Sequence, residues 1–542
     1  MVRRHLASIV LLLGTASLGA AAVDPPGTTG PWAVGHRSLA SVDASRANRP
    51  LPLEVWYPVD AADAHGTPAF YSLLGPLGIT SALAFQDVPA SAAGVRPLIV
   101  FSHGSGGIAL QSIKLMEHLA SHGFVVVAPS HTGNTQADSL LGTAVPISQA
   151  LLDRSPDVSF VIDYMLARGA DLADPFFGRV DAHNIGVAGH SLGGFTAVAM
   201  ASGYGTIPPD PRVRAIMPIA PATNPLTDAE ISRITIPTLL VTGTLDSLLA
   251  QQARVFGLID SGPFRHRVDV IGATHTHFAA ICDIANALIA FGFPEPSWPA
   301  LGAAALIQPY HDTCIPPAFS IDEATRIQNL YAAAFFRRHL RGEAEYDSFL
   351  TRAYAEANEP FTAVFDPPVA ATSAKVVLGK LLAPSGDDTL RAEGRCVPFP
   401  ETPPLDPAAN GMRLVVQDDA GGTPLDAVLP GGDFDQVTKA GWKTHVYPTG
   451  ITAQYGNSGA IVPLVGGIRK LKFAVKSGLG VAKLNVVGKS GSYALAAGAG
   501  SVHVTLIADS SPGPCTQCCE LRFTGPESTC TFRDGGATLR CK

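Results

Sequence analysis

A serine hydroxyl becomes a nucleophile only where a base takes its proton, and the base works only where a third group orients it. Ser191 has the setting for that role. It lies in Gly189-His190-Ser191-Leu192-Gly193, after the apolar run Ile185-Gly186-Val187-Ala188 and before a stretch of small residues. A G-x-S-x-G match is weak alone in a glycine-rich chain. Strand, sharp turn and helix in succession make it strong, because that geometry exposes the hydroxyl at the tip of the turn. The flanking glycines let helix and strand approach closely, and the helix N-terminus adds the positive end of its dipole.

The expected order after the nucleophile is acid, then histidine. Asp246 ends Thr242-Gly243-Thr244-Leu245-Asp246, just past an apolar strand. Asp260 and Asp269 are poorer acids: one precedes Ser-Gly-Pro and the other lies inside a strand. Gly272-Ala273-Thr274-His275-Thr276-His277-Phe278 offers two bases after the next strand. Two residues apart, they cannot both face Ser191. Spacing favours His275 and leaves His277 lining the pocket or bonded to a backbone carbonyl. The oxyanion donors are expected to be the N–H groups of Leu192 and of Ser105, the latter in His103-Gly104-Ser105-Gly106-Gly107. His190 should point away from the nucleophile, His103 should brace its turn, and His131 is a candidate pocket residue. No His/Cys spacing asks for a metal, and no cofactor is expected.

These residues need a frame. Leu98–Ser102, Phe124–Pro129, Ile185–Ala188, Val213–Ile219, Pro237–Thr242 and Val268–Ile271 read as short apolar strands separated by helical stretches. That pattern predicts a mostly parallel sheet covered on both faces, with the site at the strand C-termini. Residues 61–94, rich in Ala, Gly and Pro, read as a loop or short helices. An amphipathic helix spans 321–340. Asp366-Pro367-Pro368 reads as a linker, so the catalytic unit is placed at 30–365. Beyond it, strand-like pieces separated by turn residues predict an all-β unit over 372–542, a sandwich or barrel.

The length of 542 residues suggests roughly two to four domains. With 46% hydrophobic residues and a net charge of −7, the chain has a sizeable core and no basic run that would call for nucleic acid. Arg3 and Arg4, the apolar stretch Leu6–Leu18 and Ala20-Ala21-Ala22 form a signal-peptide pattern over 1–22, which predicts export to the periplasm or cell exterior. No later run is long and apolar enough to span a membrane. Eight cysteines in an exported chain favour disulfides. Cys282 and Cys314 bracket one apolar segment, expected to be a tied lid or pocket wall. Cys396 is expected to pair with one of the five crowded cysteines, Cys515 to Cys541.

At these motifs the chain resembles α/β hydrolases of the platelet-activating-factor acetylhydrolase and dienelactone-hydrolase-like group. The likeness covers roughly residues 30–360. It rests on Val55-Trp56-Tyr57-Pro58, Phe101-Ser102-His103-Gly104, Gly189–Gly194 and Ala273–Ala279, with Phe335-Phe336 similar to the group's closing helix. The resemblance implies an α/β-hydrolase fold and hydrolysis of carboxylic esters, small or lipid-like. It also favours His275, since Phe278 follows three positions on. Two departures limit it. The acetylhydrolase acid position reads Pro218-Ile219-Ala220-Pro221-Ala222, without a carboxylate, so phospholipid specificity does not carry over. Residue 191 is also not the cysteine of dienelactone hydrolases. A serine peptidase or acyltransferase would use the same residues, and a binding protein on a hydrolase scaffold is the third class. The C-terminal unit is a candidate for binding a surface or polymer.

Overall fold

The computed structural model describes the chain apart from residues 1–22, 260–263, 366–368, 383, 397–404, 419–422, 477–480, 497–498, 509–517, 522 and 524–528. The expected leader over 1–22, the 366–368 linker, Asp260 and Cys515 therefore lie outside the described residues.

Eleven strands form the first sheet. They are β1 (Ala33–Leu39), β2 (Leu53–Val59), β3 (Pro68–Leu74), β4 (Leu77–Gln86), β5 (Arg96–Ser102), β6 (Val125–Pro129), β7 (Val180–His190), β8 (Val213–Ile219), β9 (Thr238–Gly243), β10 (Arg265–Val270) and β11 (Thr362–Phe365). Their spatial order is β11-β10-β9-β8-β7-β5-β6-β2-β1-β4-β3. The six central strands, β6 to β10 through β7, are parallel. Continuous apolar runs force that arrangement: Arg96–Ser102 and Val125–Pro129 are buried throughout, so neither face can meet water. Helices Ile113–Ser121 and Ile321–Leu340 pack on one face, and Ile147–Ala170, Leu192–Ser202 and Leu249–Leu258 contribute to the cluster on the other. This is the expected α/β-hydrolase architecture. Residues 61–94 are corrected: they hold the antiparallel hairpin β3–β4. Strand β3 alternates buried and exposed side chains, as in Phe70, Tyr71 and Ser72, a period of two that the Ala/Gly/Pro content obscures.

The second unit has twelve strands. These are β12 (Val369–Gly379), β13 (Asp388–Cys396), β14 (Met412–Asp418), β15 (Leu425–Leu429), β16 (Ala440–Tyr447), β17 (Gly450–Asn457), β18 (Ile468–Lys476), β19 (Val481–Gly491), β20 (Val502–Ile507), β21 (Cys518–Leu521), β22 (Cys530–Arg533) and β23 (Thr538–Cys541). The order is β15-β14-β20-β21-β12-β13-β19-β18-β17-β16, with β23 pairing β12 and β22. All pairs but β12–β21 are antiparallel. Strand β12 joins the two halves, and inward residues of both, among them Leu414, Val504, Phe473 and Val486, share one core. The all-β prediction matches this unit. Disulfides join Cys282 to Cys314, Cys396 to Cys519 and Cys530 to Cys541.

Candidate active site

The turn after β7 is built so that only one side chain stands out. Ser191 has φ 56° and ψ −114°, a conformation that costs a non-glycine residue energy and is held by its surroundings. Its N–H donates to the Ile219 carbonyl at 2.9 Å, and its own carbonyl accepts from Phe195 and Ala222. A Cβ on Gly193 would fall on the Ser102 carbonyl oxygen, and one on Gly189 on the Gly193 carbonyl. No other residue fits either position.

The structure brings Ser191, His275 and Asp246 together from three strand ends. His275 Nε2 lies 2.9 Å from Ser191 Oγ, and its Nδ1 lies 2.9 Å from Asp246 Oδ2. The His275 side chain is 28% exposed while that of Asp246 is 0% exposed, so the imidazole meets solvent and the carboxylate does not. Burial alone would raise the Asp246 carboxyl. The His275 hydrogen bond, with donors from the Leu248 N–H and Gln252 Nε2, holds it below the ordinary carboxylate value. An ionised Asp246 on Nδ1 fixes the tautomer that leaves Nε2 free to accept.

His277 does not line the pocket. Its ring is buried, with Nδ1 accepting from the Thr274 N–H at 3.0 Å and Nε2 on the Phe319 carbonyl at 3.0 Å. His131 does not line it either. That ring is 0% exposed, with Nδ1 on Asp157 and Nε2 on the Ser102 hydroxyl, both at 2.9 Å. Burial, with Arg154 nearby, lowers its pKa to about 4. His277 takes the second of its two expected roles, a bond to a backbone carbonyl, while His131 is corrected from the pocket to a buried network, which a loop histidine is equally suited to close.

The loop after β5 runs beside the nucleophile: a Cβ on Gly104 would sit 3.4 Å from that of Ser191. It is braced from two sides. Gln111 Oε1 accepts from the Gly104 N–H at 2.7 Å, and its Nε2 donates to His190 Nδ1 at 2.6 Å. His190 Nε2 in turn donates to the His275 carbonyl at 2.8 Å. His190 thus points away from Ser191 and ties the two loops, and burial pushes its pKa to about 3. On the other side Arg154, fully buried, donates to the carbonyls of His103 and Gly104 and to Asn134. His103 donates from Nδ1 to the Gly104 carbonyl and accepts the His131 N–H. Ser105 sits exposed at the tip, and Leu192 begins the helix, so its N–H has no acceptor within that helix.

Sequence reasoning missed Gln111 and Arg154. Arg154 left a signal: it falls on the apolar stripe Ala150, Leu151, Val158, Val161, Ile162 and Met165 of its helix, where a cation must find partners. Gln111 left none, since a glutamine at a helix start reads as surface. The Cys282–Cys314 segment stands against the His275 turn, with Thr313 Oγ1 2.6 Å from Thr276 Oγ1. Among the described residues no group of three or more His, Cys, Asp or Glu is placed to hold a metal ion.

The sheet and the strained serine turn have the architecture of the α/β-hydrolase fold. A family profile described as PET hydrolase-like matches residues 88–291, a span containing Ser191, Asp246 and His275. The chain is 28% identical over 181 residues to cutinase est1 of Thermobifida alba, covering 33% of this chain and 52% of that protein. It is 25% identical over 181 residues to cutinase 2 of Thermobifida cellulosilytica, covering 33% and 59%. The chain thus spans about half the length of the curated relatives it matches. A ferulic acid esterase from Streptomyces cinnamoneus has 26% sequence identity and a TM-score of 0.45, covering 57% of this chain and 91% of that one. The likeness to acetylhydrolases and dienelactone hydrolases rests on the motifs alone.

Proposed function

We propose that the chain is an exported serine hydrolase of carboxylic esters. The observation that carries this reading is the continuous path from Ser191 Oγ through His275 to Asp246, 2.9 Å at each step. His275 Nε2 takes the hydroxyl proton as Ser191 Oγ attacks the ester carbonyl. The N–H groups of Leu192 and Ser105 receive the developing oxyanion. Collapse expels the alcohol, which leaves with the proton from His275. Water, deprotonated by His275, then attacks the acyl-enzyme, and collapse breaks the bond to Ser191 Oγ, which takes the proton back from His275 as the acid leaves.

Relatives named cutinases and a family described as PET hydrolase-like support polyesters, or esters with apolar acyl groups, as substrates. Leu140, Leu141, Leu245 and Leu301 are exposed, and Leu245 adjoins Asp246. The Cys282–Cys314 segment serves as the pocket wall beside His275. Three disulfides and the N-terminal pattern support export, because such bonds persist in oxidising compartments.

The test is hydrolysis of p-nitrophenyl esters of graded chain length by the wild type and Ser191→Ala. The wild type should turn over and label at Ser191 with a fluorophosphonate, and the variant should do neither. Undiminished hydrolysis by the variant removes Ser191 from its role. An inactive wild type favours a binding protein on this scaffold.

A further inference from the structure

The C-terminal unit carries a face whose charge its folding does not require. One row crosses six strands in register: Lys375, Glu393, Asn485, Lys472, Gln454 and Lys443, from β12, β13, β19, β18, β17 and β16. A neighbouring row adds Arg395 opposite Lys483. The row on the other side adds Arg391 and Lys470, both opposite Val487, with Arg540 at its edge. Among the described residues these three rows hold eight Lys and Arg side chains and one carboxylate, Glu393, which Lys375 contacts at 3.2 Å. The whole chain has a net charge of −7, so the sign of this face is local. Lys375, Arg395, Lys472 and Lys483 also line a hollow of about 520 Å³ on it.

Packing does not explain the cations. The opposite face of the same strands supplies the core, through Leu390, Leu471, Phe473 and Leu484. Like charges directly opposite, as Arg395 and Lys483 are, weaken a sheet. The arrangement suits a linear polyanion lying across the strands. Neighbouring strands are about 4.8 Å apart, so cations recur along a row at one to three such steps. Between them lie Asn485, Gln454 and Thr452, amides and a hydroxyl suited to sugar hydroxyls. The rows themselves hold no Phe, Tyr or Trp, and Phe434 at their end is covered by the Lys443 ammonium 4.0 Å from its ring centroid, so there is no run of aromatic faces for successive bases to stack on. Their apolar members, Val377, Val487 and Ala474, are half-buried and offer a bilayer nothing to insert.

We propose that this face binds a linear polyuronate, a polysaccharide carrying one carboxylate per sugar, whatever the Ser191 site does. The test uses the full chain and polygalacturonate at low ionic strength, by calorimetry or affinity electrophoresis. Dextran, single-stranded DNA and phosphatidylglycerol vesicles run alongside. Polygalacturonate should bind best, and its affinity should fall steeply toward higher salt, where exposed charges are screened within about 8–10 Å. Lys472→Glu and Lys483→Glu should each weaken binding several-fold and the pair at least tenfold. Arg233→Glu, the same charge change on an exposed residue of the other unit, should leave it within twofold. An unchanged melting temperature shows that the variants fold. No binding by the wild type at low salt overturns the proposal. So does equal binding by the folded double variant, or tighter binding to dextran, DNA or vesicles. Loss of ester hydrolysis in Ser191→Ala bears on none of these outcomes.

Discussion

Acidification from pH 7.5 to pH 5 should weaken the α/β unit through histidines that the fold keeps neutral. His118 and His122 show the effect at its cleanest. His118 lies in the last turn of helix Ile113–Ser121 and His122 caps it, their ring centroids 4.6 Å apart, and they hold the N-terminal segment through the carbonyls of Pro26 and Thr28 at 2.9 Å each. Burial lowers His118 to about 3, with the His122 charge adding to it. Burial lowers His122 to about 4, against the Thr28 carbonyl. An unfolded histidine titrates near 6.5. Below that value the unfolded chain takes up protons that the native state refuses, so stability is intact above about 6.5 and falls as pH drops toward 4. At pH 5 each unfolded ring is almost fully charged and each native ring almost neutral, a loss of about 2 kcal/mol apiece. The pair accounts for about 4 kcal/mol, comparable with the ~5–15 kcal/mol that separates a folded domain from its unfolded chain. The assay is urea unfolding at both pH values for the wild type and for His118→Gln/His122→Gln. The variant should start less stable, having lost packing and three hydrogen bonds, but its further loss on acidification should be smaller by ~3–4 kcal/mol. Equal losses in the two proteins would refute burial as the cause.

Three further perturbations probe the site and its wall. Asp246→Asn should leave ester binding nearly intact and lower kcat by about 10⁴, because an amide favours the wrong His275 tautomer; a kcat within tenfold of wild type would count against Asp246 as the orienting acid. Gly193→Ala should fold poorly or lose activity, since its Cβ would meet the Ser102 carbonyl, whereas Gly257→Ala, with nothing within 4 Å, should be silent in both melting and rate assays. Cys282→Ser/Cys314→Ser opens a loop with a sequence separation of 32, worth about 3–4 kcal/mol of closure entropy. If the segment is a pocket wall, the double variant should lose rate on long-chain esters more than on acetate; equal loss on both would leave the bridge a purely structural tie.

The parallel strands were legible because continuous apolar runs of about six residues have few other uses, and the turn at Ser191 was legible because strand, Gly-flanked serine and helix are consecutive in the chain. Spacing only favoured His275 over His277; the physical difference is in their partners, since one ring meets a carboxylate and a hydroxyl and the other two backbone groups. The β3–β4 hairpin was lost to composition. Ala, Gly and Pro read as punctuation, and only the alternation of Ala69 and Tyr71 against the core shows a strand. His131 was misplaced for a deeper reason. Its role is set by Asp157 and Ser102, which are far from it in sequence, and no local pattern carries that information.

The buried charges beneath the Ser191 turn make sense only with that turn in view. Asp157 accepts from Arg46, Arg49 and His131, and these donors hold its carboxyl well below the ordinary value although burial opposes them. Arg154, on the same helix, is pulled down to about 9 by burial and spends its donors on Ser102, the His103 and Gly104 carbonyls and Asn134. Buried ion networks of this kind seldom stabilise a fold more than apolar residues of the same size would. Their advantage is directional. An apolar side chain at 154 would fill the space but remove a donor from both loop carbonyls, leaving that of Gly104 to His103 Nδ1 and the Gly107 N–H. With Arg154 drawing the carbonyls one way and Gln111 fixing the Gly104 N–H, the loop reaches Ser105 in one orientation before any substrate arrives. In the proposed ester hydrolysis, preorganisation of that kind would favour the developing charge, because no donor must be moved at the moment of reaction.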